Sequence, residues 1–142
     1  MKHLYTCILF FAAAIALAQT PVDPWKKEQL VKPEQLAEEL KPSNANKPLV
    51  YNVGPMGQIK GAVKIGAVSD PKGLQKFNEA IAGISDKNKA IVVYCGCCTS
   101  QNCPNIRPAF QSLKEKGFKH IRVLEIEHGY VEDWQGKGYP VD

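Results

Sequence analysis

The chain has no concentrated run of lysine and arginine. Its 18 basic and 14 acidic residues are interspersed, for a net charge of +4. Nucleic-acid binders gather positive charge on one face, so that class is excluded, and the balance reads as a solvated surface. Internal repeats and low-complexity tracts are absent, which excludes solenoids and arrays. Cysteines that tie distant segments together are also missing. Of the five, Cys7 lies near the start and the rest are Cys95, Cys97, Cys98 and Cys103. A disulfide scaffold spreads its cysteines along the chain, whereas these four form one local site. No long membrane-spanning run exists either. Leu4–Leu17 is almost wholly apolar, yet shorter than the about 20 residues a span needs.

That apolar run does have a reading. Lys2 precedes it, Ala16-Leu17-Ala18 closes it with small residues around a cleavage position, and polar Gln19-Thr20-Pro21 follows. This is the pattern of an export signal. The expectation is a signal peptide over 1–18, an extended lead-in over 19–30 onto which Trp25 tucks, and one folded domain over 31–142. The product would be periplasmic or secreted, with no stable membrane insertion after cleavage.

Within the domain, strand and helix signals alternate. Pro33 opens a short helix to Leu40, and Leu49–Val53 reads as a buried strand. Gly61–Ile65 reads as a second strand or extended turn. Ser69 or Asp70 caps a helix with Pro71 in its first turn and Leu74, Phe77, Ile81 and Ile84 on one face. Ala90–Tyr94 is continuous and β-branched, as in a strand covered on both faces. Pro104 opens a helix with Ile106, Phe110 and Leu113 inward and Gly117 as its stop. His120–Glu125 is a further strand and Tyr130–Gln135 a last short helix. The alternation predicts an α/β fold, a small parallel sheet with helices on both faces.

The chemistry concentrates between the strand ending at Tyr94 and the helix after Pro104. A loop at the carboxyl end of a central parallel strand is where open α/β folds bind ligands. Its amides and the following helix start favour an anion, and the same field lowers a thiol's pKa. Cys95, at the strand end, is the best nucleophile, with Cys103 as its rival. Gly96 gives the turn its freedom at φ above zero, and Thr99, Ser100, Gln101 and Asn102 are placed to cap the helix or donate to an anion. The spacing Cys-x-Cys-Cys-x4-Cys also offers four thiolates, Cys95, Cys97, Cys98 and Cys103, to copper(I) or zinc. No His lies in the loop, and the paired Cys-x2-Cys pattern is absent. A third reading is a disulfide from Cys97 or Cys98 to Cys103, pinning the loop. Asn52 ends a neighbouring strand within reach of the loop backbone. His120, Glu125, Glu127, Lys60 and Lys64 read as surface residues and Trp134 as core, while His128 falls nearer the site.

The order of these motifs resembles the rhodanese family. The residues carrying the resemblance are Leu49–Val53, Gly57-Gln58-Ile59-Lys60-Gly61-Ala62, Ile91–Cys95, Gly117-Phe118, His120–Leu124, and Gly129, Trp134 and Gly138-Tyr139-Pro140-Val141. They run from about Val31 to Val141. The resemblance implies sulfurtransferase chemistry. Cys95 would take a sulfane sulfur from a small anionic donor such as thiosulfate, hold it as a persulfide, and pass it to a thiol or other nucleophilic acceptor, with no separate cofactor. Cys97, Cys98 and Cys103 then become resolving or relay thiols, and residues 96–102 the amide cradle. The chain departs from the family pattern in several places. Asn52 stands for an Asp, Gln58 for a His, and His128 for one of two glycines. No arginine closes the loop, and Arg107, inside the helix, is the nearest substitute. The remaining alternatives are a thiol–disulfide redox protein and a non-catalytic thiolate metal module on the same fold.

Overall fold

The structure, a computed structural model, describes residues 24–142. The expected signal peptide lies outside the described residues. Among those described, no helix is long and apolar enough to cross a membrane.

Five strands form one sheet: β1 (Leu30–Val31), β2 (Leu49–Asn52), β3 (Val63–Lys64), β4 (Ile91–Tyr94) and β5 (Ile121–Leu124). Every pairing is parallel, and the spatial order is β1-β5-β4-β2-β3. Among the described residues the α-helices are α1 (Pro33–Glu39), α2 (Pro71–Ala82), α3 (Ile106–Glu115) and α4 (Tyr130–Asp133). This is the expected α/β architecture, and β4 lies at its centre.

Side chains alternate across each strand, so the sheet separates two cores. Tyr51, Ile91, Val93 and Val123 pack towards Phe77 and Ile81 of α2 and Ile106, Phe110 and Leu113 of α3. Val50, Val92, Tyr94 and Leu124 pack the other way, towards Leu36 of α1, Tyr130 of α4 and Trp134. Both faces of β4 are therefore covered, which is why its residues are uniformly apolar or aromatic. Asp70 caps α2 by accepting from the Lys72 amide at 2.8 Å, with Pro71 in the first turn. Arg122 of β5 holds Glu39 at the end of α1 with two hydrogen bonds of 2.9 and 2.6 Å.

Three boundaries differ from expectation. The 19–30 lead-in reaches into the fold: Leu30 pairs with Val123 in the sheet, and Trp25 is buried against Phe110. The Gly61–Ile65 strand shrinks to Val63–Lys64, both exposed at the sheet edge. α3 starts at Ile106, because Pro104 and Asn105 belong to a preceding turn. That shift places Asn105, buried and polar, beside the cysteine loop.

Candidate functional site

β4 delivers Cys95 to the carboxyl edge of the sheet, where its residue is 1% exposed. Two loops meet there. Gly54, just beyond β2, runs so close that a Cβ on it would sit 2.2 Å from the Cys95 sulfur. A Cβ on Gly96 would sit 2.1 Å from the Met56 carbonyl oxygen, so this close approach, and not the expected positive φ, is what requires glycine there. Only glycine permits this approach of backbone to sulfur and of backbone to backbone. Tyr94, one residue before Cys95, locks the neighbouring loop. Its hydroxyl accepts from the Ile59 amide at 2.9 Å and donates to the Gly57 carbonyl at 3.0 Å. Asn52 serves that same loop. It donates to the Met56 and Gly57 carbonyls and to the Gln58 side-chain oxygen, and accepts from the Gly54 amide, so its side-chain bonds go to residues 54–58 and not to the cysteine loop.

The sulfurs of Cys95, Cys97 and Cys98 form a triangle. Cys95 Sγ lies 3.0 Å from Cys97 Sγ and 3.9 Å from Cys98 Sγ, and the last pair is 3.3 Å apart. Cys103 is buried beneath, in the core that faces α3. The four loop cysteines are free thiols, so the disulfide from Cys97 or Cys98 to Cys103, one of the readings of the spacing, is not formed in this structure. Burial grades the triangle: Cys95 is buried, Cys98 half-buried and Cys97 exposed.

The electrostatics single out Cys95. A hydrogen bond from the Cys103 thiol draws its pKa down to about 5, and the side chain and backbone amide of Cys97 and the side chain of Asn105 act in the same direction. Together they outweigh the burial that opposes ionisation. The partners move the other way. Burial, then the bonds to Cys95 and Cys98, push Cys97 up to about 12, and the bond to Cys95, then burial, push Cys103 up. One sulfur carries the charge and its neighbours keep their protons to donate to it.

Asn105 is the residue that sequence reasoning missed. Its Nδ2 donates to Cys95 Sγ at 3.6 Å while its Oδ1 accepts from the Ser69 amide at 2.9 Å. It thus fixes the sulfur to the start of α2. The sequence signal was a polar residue in the turn before an apolar helix face.

Other expected site residues are placed elsewhere. Ser100 is buried, its amide and hydroxyl both donating to the Ile126 carbonyl, while its own carbonyl accepts from the Trp25 indole. Asn102 donates to the Thr99 hydroxyl at 3.2 Å. Thr99, Ser100, Gln101 and Asn102 line a separate cavity of about 290 Å³ with Glu125 and Glu127. Of the amides in the cradle expected over 96–102, those of Ser100 and Asn102 donate to the Ile126 and Thr99 carbonyls, and that of Cys97 donates to the Cys95 sulfur. Arg107 donates to the Gln101 carbonyl at 3.1 Å and flanks Trp25 and Phe110. It is not among the groups holding the sulfur, none of which is a cation. His128 is exposed and paired with Asp133 at 3.1 Å, which raises its pKa. His120 is exposed at the start of β5, and Lys60 and Lys64 are exposed. Glu125 is half-buried and Glu127 exposed. Trp134 is fully buried, as expected of a core residue.

No curated protein and no solved structure matches the chain. The family model described as "Rhodanese-like domain" does match, over residues 51–136. That span begins in β2, crosses Cys95 and the sulfur triangle, and ends beyond Trp134. The parallel sheet, the strand-end cysteine and this match agree, and the chain belongs to the rhodanese-like domain family.

Proposed function

We propose that this protein is an exported sulfurtransferase that carries a sulfane sulfur as a persulfide on Cys95. The observation that supports it is Cys95 at the end of β4, with Cys97 Sγ at 3.0 Å and Asn105 Nδ2 at 3.6 Å from a sulfur whose pKa is drawn down to about 5. A thiolate, not a thiol, attacks a sulfur donor. With thiosulfate, Cys95–S⁻ bonds to the outer sulfur, the sulfur–sulfur bond of the donor breaks, and sulfite leaves with its electron pair. The charge then rests on the terminal sulfur of Cys95–S–S⁻. The outer sulfur would next pass to a thiol or other nucleophilic acceptor. Export rests on the 1–18 pattern of Lys2, the apolar run and Ala16-Leu17-Ala18.

The test is intact-protein mass spectrometry of the reduced protein after anaerobic incubation with thiosulfate. A gain of about 32 Da, one sulfur atom, is expected on the wild type or on a variant lacking a neighbouring thiol. Cys95→Ser is expected to show none. An adduct that persists in Cys95→Ser would sink the proposal.

A second reading has its own observation. The Cys95, Cys97 and Cys98 sulfurs all lie within 4.8 Å of one another. Metal–sulfur bonds of about 2.3 Å put the sulfurs of a tetrahedral site about 3.8 Å apart. The Cys95–Cys98 separation already fits, and the two shorter contacts to Cys97 would open by less than about 1 Å. A soft ion such as copper(I) or zinc suits three thiolates. Stoichiometric metal in the purified protein, lost with Cys97→Ser, would favour this reading over sulfur transfer.

A further inference from the structure

We infer that Cys97 is a resolving thiol: it attacks the sulfur of Cys95 once that carries a persulfide, closes a Cys95–Cys97 disulfide and releases the transferred sulfur as sulfide. This deepens the sulfurtransferase reading and rests on it. It turns a sulfur carrier into a protein that reduces sulfane sulfur to sulfide.

Access is the first ground. Cys95 is 1% exposed, and on the Gly54 side the backbone leaves no room for a methyl group beside the sulfur. Attack on the inner sulfur needs a nucleophile beside Cys95 Sγ, and a thiol that the loop itself supplies needs no approach from solvent. Cys97 is already there. It is also exposed, so a disulfide that includes it is open to reduction from solvent.

Distance decides which sulfur is attacked. Cys97 Sγ lies 3.0 Å from Cys95 Sγ, the inner sulfur of any persulfide formed there. Attack on the outer sulfur would move the persulfide to Cys97. Attack on the inner sulfur expels the outer one. The geometry favours the inner, and Cys98, at 3.9 Å, is farther away.

The step balances without an added oxidant. Cys95–S–S⁻ and Cys97–SH give Cys95–S–S–Cys97 and HS⁻. The bond between Cys95 Sγ and the outer sulfur breaks, and its electron pair leaves with that sulfur. The bond between the two cysteine sulfurs forms, and the proton of Cys97 goes to the sulfide. The two cysteines lose the two electrons that the outer sulfur gains. A dithiol reductant from solution then restores both thiols by exchange at the exposed Cys97 side.

Sulfuration also readies the attacker. In the resting site the Cys97 proton is shared with the Cys95 thiolate, one of the causes that hold Cys97 protonated. A persulfide moves the charge to the outer sulfur, so that hold on the Cys97 proton weakens.

The experiment treats the reduced protein anaerobically with thiosulfate, in the absence of any other thiol. It measures free sulfide and intact mass for the wild type, Cys97→Ser and Cys98→Ser. The wild type is expected to release about one equivalent of sulfide and end about 2 Da lighter, with a Cys95–Cys97 disulfide in the peptide map. Cys97→Ser is expected to release less than a tenth of that and to keep the adduct of about 32 Da on Cys95. Cys98→Ser is expected to behave as wild type. A wild type that keeps the adduct as stably as Cys97→Ser would overturn the resolving role and leave the sulfurtransferase reading intact. Sulfide release that depends on Cys98 instead would overturn the assignment to Cys97. An adduct in none of the three proteins would sink the sulfurtransferase reading itself.

Discussion

The Cys95 thiolate is held by neutral donors, and Asn105 is the one among them that is not a cysteine. Its amide reaches both the sulfur and the Ser69 backbone, so it is a positioning residue as well as a donor. A hydrogen bond to a charged group contributes about 1.5–3 kcal/mol, and this one, at 3.6 Å, belongs at the low end. Asn105→Ala should therefore raise the Cys95 pKa by about one unit, since one unit corresponds to about 1.4 kcal/mol. Titration of thiolate absorbance in the ultraviolet would show the midpoint move up, and an unmoved midpoint would remove Asn105 from the site. Cys95 itself was legible in the sequence, because its place follows from one strand and the loop after it. Asn105 was not. Its two partners come from α2's leading turn and from β4, and no local pattern announces a contact between turns 36 residues apart.

The site depends on how closely two loops approach, one after β2 and one after β4. Their separation is set by backbone atoms, with Gly54 and Gly96 at the contact. Gly54→Ala would place a methyl group inside the radius of the Cys95 sulfur. Either the sulfur leaves its donors or the loop moves, and overpacking of this kind costs about 1–3 kcal/mol. Thermal unfolding should report that loss, and thiolate titration should report a Cys95 pKa returning towards its ordinary value. A variant with unchanged stability and an unchanged titration would mean that the two loops are loosely held. Such contacts explain where element-level reading succeeded and stopped. The strand over 90–94 and the helices carrying Phe77 and Phe110 have enough apolar repeats to be read in isolation. β1 has two residues, and it becomes a strand only because Leu30 meets Val123 across the sheet edge. β3 is as short, and both its residues are exposed, so no alternation marks it. The expected arginine at the site failed for a similar reason. Arg107 is on α3, but its guanidinium is taken by the Gln101 carbonyl.

At the scale of the whole molecule, one charge shared among several sulfurs couples stability to pH in a form that few surface groups can imitate. Cys95 has its pKa lowered to about 5 in the folded protein, against about 8.5 for a free cysteine. Between these values the unfolded chain binds a proton that the folded one has released, so stability rises with pH. The full contribution is present above the unfolded value and is lost as pH falls through about 5. Cys97 and Cys103 act with the opposite sign. Their folded pKa values are raised, so above about 8.5 the unfolded chain sheds protons that the folded one keeps, and stability falls as pH climbs further. Cys95→Ala removes the first effect directly. It also weakens the second, because the bond to Cys95 is the leading cause at Cys103 and a contributing one at Cys97. Glu39, Asp133 and His128 have shifted pKa values too, but they are common to both proteins and cancel in the difference. Melting temperatures of wild type and Cys95→Ala, measured under reductant from pH 5 to 10, should therefore differ by an amount that grows up to about pH 8.5 and shrinks beyond it. A difference that stays constant with pH would show that the Cys95 sulfur is an ordinary buried thiol, and the nucleophile that the sulfurtransferase reading requires would be gone.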